Sequence, residues 1–134
     1  MQTFLPYADF IKSAKCLDYK RLGKQRVEAK QLIDLLEGKT DNNWKNHPAY
    51  KMWEGYTNTL KFYYNIILTE WINRGYNNNM KHYMMDNSKD MKFPPWFGRQ
   101  DFHDAHKSNL LRKDKEFYGK YNWDVPDNLP YKWK

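Results

Sequence analysis

One cysteine, Cys16, in 134 residues excludes an internal disulfide framework and suits a reducing compartment. Between Ala14 and Leu17 it reads as a small apolar filler rather than a reactive thiol. No apolar run approaches the ~18 residues of a membrane span, and the N-terminus lacks the apolar core of a signal peptide. The chain is therefore expected in the cytoplasm, of a bacterial cell or an infected host, with no membrane partner. Glycine and proline are sparse, six of each, and they form neither a linker nor a repeat. A Gly-rich phosphate loop and a G-x-S-x-G elbow are both missing. His47, His82, His103 and His106 have no cysteine partners in a zinc-like spacing, so neither a metal nor a cofactor is expected. Carboxylates are the minority charge, 16 against 23 Lys and Arg, for a formal net charge of +7.

What the chain has in excess is aromatic and basic. Phe, Trp and Tyr make up 18% of residues, and the sequence pI is near 9.3. Rings interleaved with Lys and Arg suit the stacking of bases and the neutralisation of a phosphate backbone, so nucleic acid is the partner class this surface favours.

The hydrophobic pattern predicts an all-α fold, a compact helical bundle over residues 1–134 in one domain, with an extended N-terminal arm and an irregular aromatic C-terminal tail. The chain is expected to be a monomer. Met1 to Leu5 is the arm, ending at Pro6, which is placed to open a first helix with Asp9 in its first turn. A second helix runs to about Glu37, with Gly38 as its stop. Lys39 to Asn46 reads as a polar loop. Pro48 then opens the longest helical pattern, whose stripe of Met52, Trp53, Tyr56, Leu60, Tyr63, Tyr64, Ile67, Leu68 and Trp71 runs to a stop at Gly75. Tyr76 to Lys92 reads as loop, with room for one helical turn, and Pro94 to Gly98 as a rigid turn. Asp101 followed by Asp104 resembles a helix start for the segment holding His106, Asn109 and Arg112. From Tyr118 on, Pro126 and Pro130 argue against regular structure.

The second helix carries the densest chemistry. At 100° per residue, Lys20, Arg21, Lys24, Gln25, Glu28 and Gln31 share a face, beside an apolar face of Leu22, Ala29, Leu32, Ile33 and Leu36. Lys20, Arg21, Lys24 and Arg26 are candidate phosphate ligands, and Glu28 is the carboxylate among them. Arg26 projects at the edge of the apolar stripe, where it has to pair or snorkel. For covalent chemistry an amine remains. An α-amino group, ordinarily at about 7.8, offers its neutral form roughly several hundred times more often at neutral pH than an ordinary lysine at about 10.4. The chain end, Met1, is thus a candidate nucleophile.

Several stretches occur in an order that resembles a known family: Met1 to Tyr7, Arg21-Leu22-Gly23-Lys24-Gln25-Arg26-Val27-Glu28, Asn46-His47-Pro48-Ala49 with Met52-Trp53, Arg74-Gly75-Tyr76, Pro94-Pro95-Trp96 and Ser108 to Asp114. They are similar to the bacterial and viral branch of the pyrimidine-dimer DNA glycosylases, the branch related to the phage endonuclease V. The resemblance implies a helical domain that binds and kinks double-stranded DNA containing a damaged or modified base, a pyrimidine dimer foremost. It also implies base excision by the N-terminal amine through an imine, a glutamate assisting proton transfer, and strand nicking by β-elimination. The family's glutamate has no counterpart at Tyr19-Lys20-Arg21. Glu28 is its expected substitute on the same helix, and Asp18 the second choice. With Gln2 too bulky for ready removal of Met1, the amine would be that of Met1. The expected DNA-binding residues are Gln2, Lys20, Arg21, Lys24, Arg26, His47, His106, Asn109 and Arg112, with Trp96, Tyr121 and Trp123 as stacking or wedge residues.

Overall fold

The computed structural model describes residues 1–40, 43–85 and 91–134. Positions 41–42 and 86–90 fall inside the two expected loops and lie outside the described residues. Among the described residues the regular structure is entirely helical: α1 (Phe10–Cys16), α2 (Tyr19–Leu36), α3 (Pro48–Trp53), α4 (Thr57–Asn73), α5 (Gln100–Lys113) and α6 (Lys115–Tyr118). Short 3₁₀ turns cover Asn43–Asn46 and Gly119–Tyr121. None of these helices is long and apolar enough to cross a membrane.

The centre of the molecule is α2 lying on α4, with α1 against α4 as well. Leu22, Ala29, Leu32 and Ile33 of α2 meet Leu60, Tyr63, Tyr64, Ile67 and Leu68 of α4, all fully buried. Each such aliphatic side chain contributes about 1.5–3 kcal/mol by leaving water, which is what holds the pair together. Cys16 is buried, and burial pushes its thiol up to about 12, so it is inert filler.

Three boundaries differ from those expected of the sequence. The first helix begins at Phe10 rather than at Pro6, because Asp9 is its N-cap and accepts from the backbone N–H of Lys12 at 2.9 Å. The long pattern opened by Pro48 is two helices. Gly55 adopts φ +87°, which breaks the backbone between α3 and α4. The apolar stripe runs on across the break because both helices face the same core, so periodicity alone does not register it. Helix α5 starts at Gln100, one residue before the expected acidic start. No capping box forms there: Asp104 accepts from Gln100 Nε2 at 2.7 Å, and Asp101 pairs with Lys132 at 2.7 Å. Between Tyr76 and Lys92 the described residues contain no helical turn.

The two ends of the chain are folded in, and this is what builds the site. The arm is threaded through the core as extended chain, with Thr3, Phe4 and Leu5 buried. A buried strand without a neighbouring strand must satisfy its backbone otherwise, and here side chains do so. Gln25 grips it twice, accepting from Phe4 N–H at 3.1 Å and donating to Gln2 O at 2.7 Å. Tyr63 Oη lies 2.5 Å from Gln25 Oε1 and 3.2 Å from Phe4 O. Leu5 is clamped between two histidines: its N–H donates to His106 Nδ1 at 3.0 Å, and its carbonyl accepts from His103 Nδ1 at 2.7 Å. Thr3 O accepts from Tyr131 Oη at 2.6 Å, so the C-terminal tail closes over the arm. Arg112 holds that tail by donating to the carbonyls of Asp127 at 2.8 Å and Leu129 at 3.2 Å.

Candidate active site

Threading the arm alongside α2 fixes where the chain begins. The backbone N–H of Gln2 donates to Glu28 Oε2 at 2.9 Å, which places Met1 beside the carboxylate. Met1, Gln2 and Glu28 line a cleft of about 380 Å³ together with Phe4, Lys20, Arg21, Lys24, His47, Lys113 and Trp133. Among the described residues Glu28 is its only carboxylate, set among four cationic side chains and the chain end. Lys20 and Lys24 are exposed, whereas Arg21 leans on Asp18 at 3.2 Å.

The electrostatics fit that crowding. Lys113 is held below the ordinary lysine value, first by burial and then by Arg21, Lys24 and Arg112. His47 is also pushed down, by burial and by the positive chain end, with Glu28 pulling the other way. Its ring is therefore neutral near pH 7. It caps α3 by accepting from Ala49 N–H at 3.0 Å and meets Trp133 edge to face at 5.2 Å.

Of the expected site residues, the fold brings together Met1, Gln2, Lys20, Arg21, Lys24, Glu28 and His47. The others lie elsewhere. Arg26 turns to the opposite side of α2, over the Trp71 ring at 4.4 Å, with Nη1 donating to Asn78 Oδ1 at 3.3 Å. Trp96 is a core residue, edge to face with Trp53 at 5.0 Å and donating to Met52 O at 3.0 Å, so it has no face to offer a base. His106 is fully buried, accepting from Leu5 and donating from Nε2 to Lys132 O at 2.9 Å. Asn109 is buried with Oδ1 lacking a hydrogen-bond partner among the described residues. Arg112 is spent on the tail. Tyr121 and Trp123 stack at 5.2 Å and are tied inward, Tyr121 Oη donating to Cys16 O at 3.1 Å and Trp123 Nε1 to Tyr7 Oη at 2.8 Å. The second-choice acid, Asp18, is buried, accepts from Tyr118 Oη, and does not line the cleft.

Three contributors are absent from the sequence-based set: Phe4, Lys113 and Trp133. Lys113 follows Arg112 directly, and 100° around α5 is the difference between a cleft wall and a tail anchor. Trp133 stands in a tail whose path depends on the anchors just described. Gln25, placed by periodicity on the polar face, is fully buried as the grip on the arm.

Met1, Glu28 and four cationic side chains, drawn from the arm, α2 and α5, thus line one cleft of an all-α scaffold. The chain belongs to the pyrimidine dimer DNA glycosylase family, whose sequence model matches residues 1–84. That family acts on DNA. The match spans the arm and helices α1 to α4, while Lys113 and Trp133 come from the remainder of the chain. Comparison with curated proteins yields no match, and comparison with solved structures yields none.

Proposed function

We propose that the protein is a DNA glycosylase with associated abasic-site lyase activity, excising a damaged or modified base, a pyrimidine dimer foremost, from double-stranded DNA. The observation that carries this is the 2.9 Å bond from Gln2 N–H to Glu28 Oε2, which holds the chain end beside the cleft's one carboxylate. The Met1 nitrogen attacks C1′ of the deoxyribose. The N–C1′ bond forms as the glycosidic bond breaks, and the base leaves with the bonding pair and takes up a proton. The amine gives up its own proton, O4′ receives one as the sugar ring opens, and an imine results. Loss of a C2′ proton then expels the 3′ phosphate by β-elimination, and water hydrolyses the imine to restore the amine.

Glu28 is suited to the proton traffic because Oε2 is committed to the chain while Oε1 makes no hydrogen bond among the described residues. Lys20, Arg21, Lys24 and Lys113 bind the flanking phosphates, and a neutral His47 adds no competing charge. Drawing the nucleotide out of the stack costs a few kcal/mol in an intact duplex and less at a damaged step.

The test is an abasic-site duplex incubated with the protein under borohydride, with the adduct located by peptide mass spectrometry. A covalent adduct on Met1 is expected, together with base release from irradiated duplex. Duplex binding with neither adduct nor base release would overturn the enzyme and leave a non-catalytic double-stranded DNA-binding protein on the same scaffold.

A further inference from the structure

The stretch of chain leading to the amine is gripped from two sides, and only one of them belongs to the residues that the family model matches. Successive peptide planes lead up to Met1. The Met1–Gln2 plane gives its N–H to Glu28 Oε2 at 2.9 Å, and the Gln2–Thr3 plane takes Gln25 Nε2 on its carbonyl at 2.7 Å. The Thr3–Phe4 plane gives its N–H to Gln25 Oε1 at 3.1 Å and takes Tyr131 Oη on its carbonyl at 2.6 Å. In a trans peptide the N–H and the C=O point opposite ways, so this last plane is clamped between α2 and the C-terminal tail. Glu28 and Gln25 both stand on α2. Tyr131 is thus the one grip on these planes that comes from the other side.

The tail is built to keep that hydroxyl in place. The Tyr131 ring lies 4.5 Å from His106 at 30° and meets Trp133 edge to face at 4.5 Å. Next along the chain, Lys132 O accepts from His106 Nε2 at 2.9 Å, and the Lys132 ammonium pairs with Asp101 at 2.7 Å. Burial pushes the Tyr131 hydroxyl above the ordinary tyrosine value, so it remains a donor through the neutral range. Thr3, its acceptor, is fully buried, while Gln2 and Met1 are half-buried. Thr3 is therefore the pivot from which the last two residues reach the cleft, and its Oγ1 accepts from Trp53 Nε1 at 3.3 Å.

We propose that Tyr131 is a positioning residue for the Met1 amine, its bond to Thr3 O setting how far and in which direction the chain end reaches into the cleft. The proposal rests on the glycosylase reading above. With that hydroxyl gone, the main-chain bonds of all these planes run to α2 alone, and the arm can rock about the helix. Rocking moves the amine toward or away from a sugar held by the cleft cations, and attack on carbon tolerates little such error. The carbonyl of Thr3 would also be left buried without its donor, which costs stability. The positioning role and the merely structural one are separable, because only the first acts on the rate of a bound complex.

Tyr131→Phe removes the hydroxyl and keeps the ring between His106 and Trp133. At saturating abasic-site duplex under borohydride, the single-turnover rate of adduct formation on Met1 should fall roughly ten- to a hundredfold, the scale set by a misplacement of about 1 Å. Duplex Kd and its salt dependence should stay unchanged, since no cleft cation is altered. Tyr131→4-aminophenylalanine restores a donor on the same ring and should recover most of the rate. Reductive methylation of the chain end with ¹³C-formaldehyde adds a reading that needs no DNA: the Met1 Nα-methyl resonance should move toward its free-peptide position in Tyr131→Phe. An unchanged adduct rate in folded Tyr131→Phe, or a rate loss that disappears at saturating duplex, overturns the proposal and leaves Tyr131 a structural support. If Tyr131→Phe does not fold, the 4-aminophenylalanine variant decides, because a rate still lost in that folded protein removes the hydrogen bond from the account. An unaltered protein that forms no adduct would sink the glycosylase reading, while the methyl resonance still judges separately whether Tyr131 fixes the chain end.

Discussion

Gln2 and Glu28 stand 26 residues apart in sequence and 2.9 Å apart in space, the backbone N–H of one donating to Oε2 of the other. The bond does two things at once. It satisfies a donor on a half-buried arm, and it ties the cleft's carboxylate to the residue next to the chain end. Glu28→Gln separates the two, since the amide oxygen can still accept from Gln2 while the charge and the transferable proton are gone. Adduct formation and base release are expected to fall by about a hundredfold or more, the usual size of a general acid–base contribution. Thermal melting should stay within about 2 °C, a shift below ~1 kcal/mol. Single-turnover rates beside a melting curve give both numbers, and full activity in the variant would remove Glu28 from the chemistry.

Blocking the chain end is the complementary experiment. Selective acetylation of the α-amine removes its nucleophilicity and its charge but none of the side-chain cations around the cleft. The borohydride adduct should vanish. Duplex affinity should drop only by the contribution of one charge, read as a salt dependence lowered by about one counterion. An adduct that persists on acetylated protein and maps to a lysine would transfer the chemistry from Met1 to that lysine.

The cations divide into those that line the cleft and those that hold the protein together. Lys20→Gln with Lys24→Gln should flatten the slope of log affinity against log salt by about 0.9 for each phosphate left without its cation. Arg112→Ala should leave that slope alone, because the guanidinium is engaged with the carbonyls of Asp127 and Leu129. Its expected cost is a loosened tail, seen as faster proteolysis after Tyr121 and a raised KM through Trp133, which that tail delivers to the cleft. Duplex titrations at several salt concentrations distinguish the two kinds of residue.

The helical pattern and the basic face of α2 were legible in the sequence because both are local: the period of apolar residues and the 100° step place Lys20, Lys24 and Glu28 together without any knowledge of partners. What the sequence hid is where one segment crosses another. Gln25 sits at the edge of the polar face by angle, yet the arm passes there and needs a donor and an acceptor, so it is buried. Arg112 and Lys113 are neighbours, and only the path of the tail decides which one reaches the cleft. Trp96 and His106 carried the residue types of a nucleic-acid surface, but a turn of two prolines and the anchoring of Leu5 placed them inside. The α3–α4 break depends on one positive φ at Gly55, and an apolar pattern does not report backbone sign.

The histidine clamp on Leu5 makes the arm sensitive to acid. His106 Nδ1 accepts from Leu5 N–H while Nε2 donates to Lys132 O, and His103 shows the opposite tautomer, donating from Nδ1 to Leu5 O and accepting on Nε2 from Gly98 N–H at 2.9 Å. Both rings therefore fit only when neutral. Burial pushes His106 down to about 3, with the Lys132 carbonyl acting against it, and burial also lowers His103. A group depressed in the folded state takes up its proton first in the unfolded chain. The stabilisation from the neutral ring is thus complete above the ordinary histidine value of about 6.5 and is lost as pH falls from there toward about 3. Each such proton costs about 1.4 kcal/mol per pH unit in that window. Melting temperature should fall as pH is lowered from the ordinary histidine value of about 6.5 to about 4, and hydrogen exchange at Leu5 should quicken over the same range. His106→Gln can supply an acceptor and a donor without titrating. It should reduce the acid slope by about one proton and leave that of His103 in place. A melting temperature flat across this range in the unaltered protein would show that the clamp does not couple to pH.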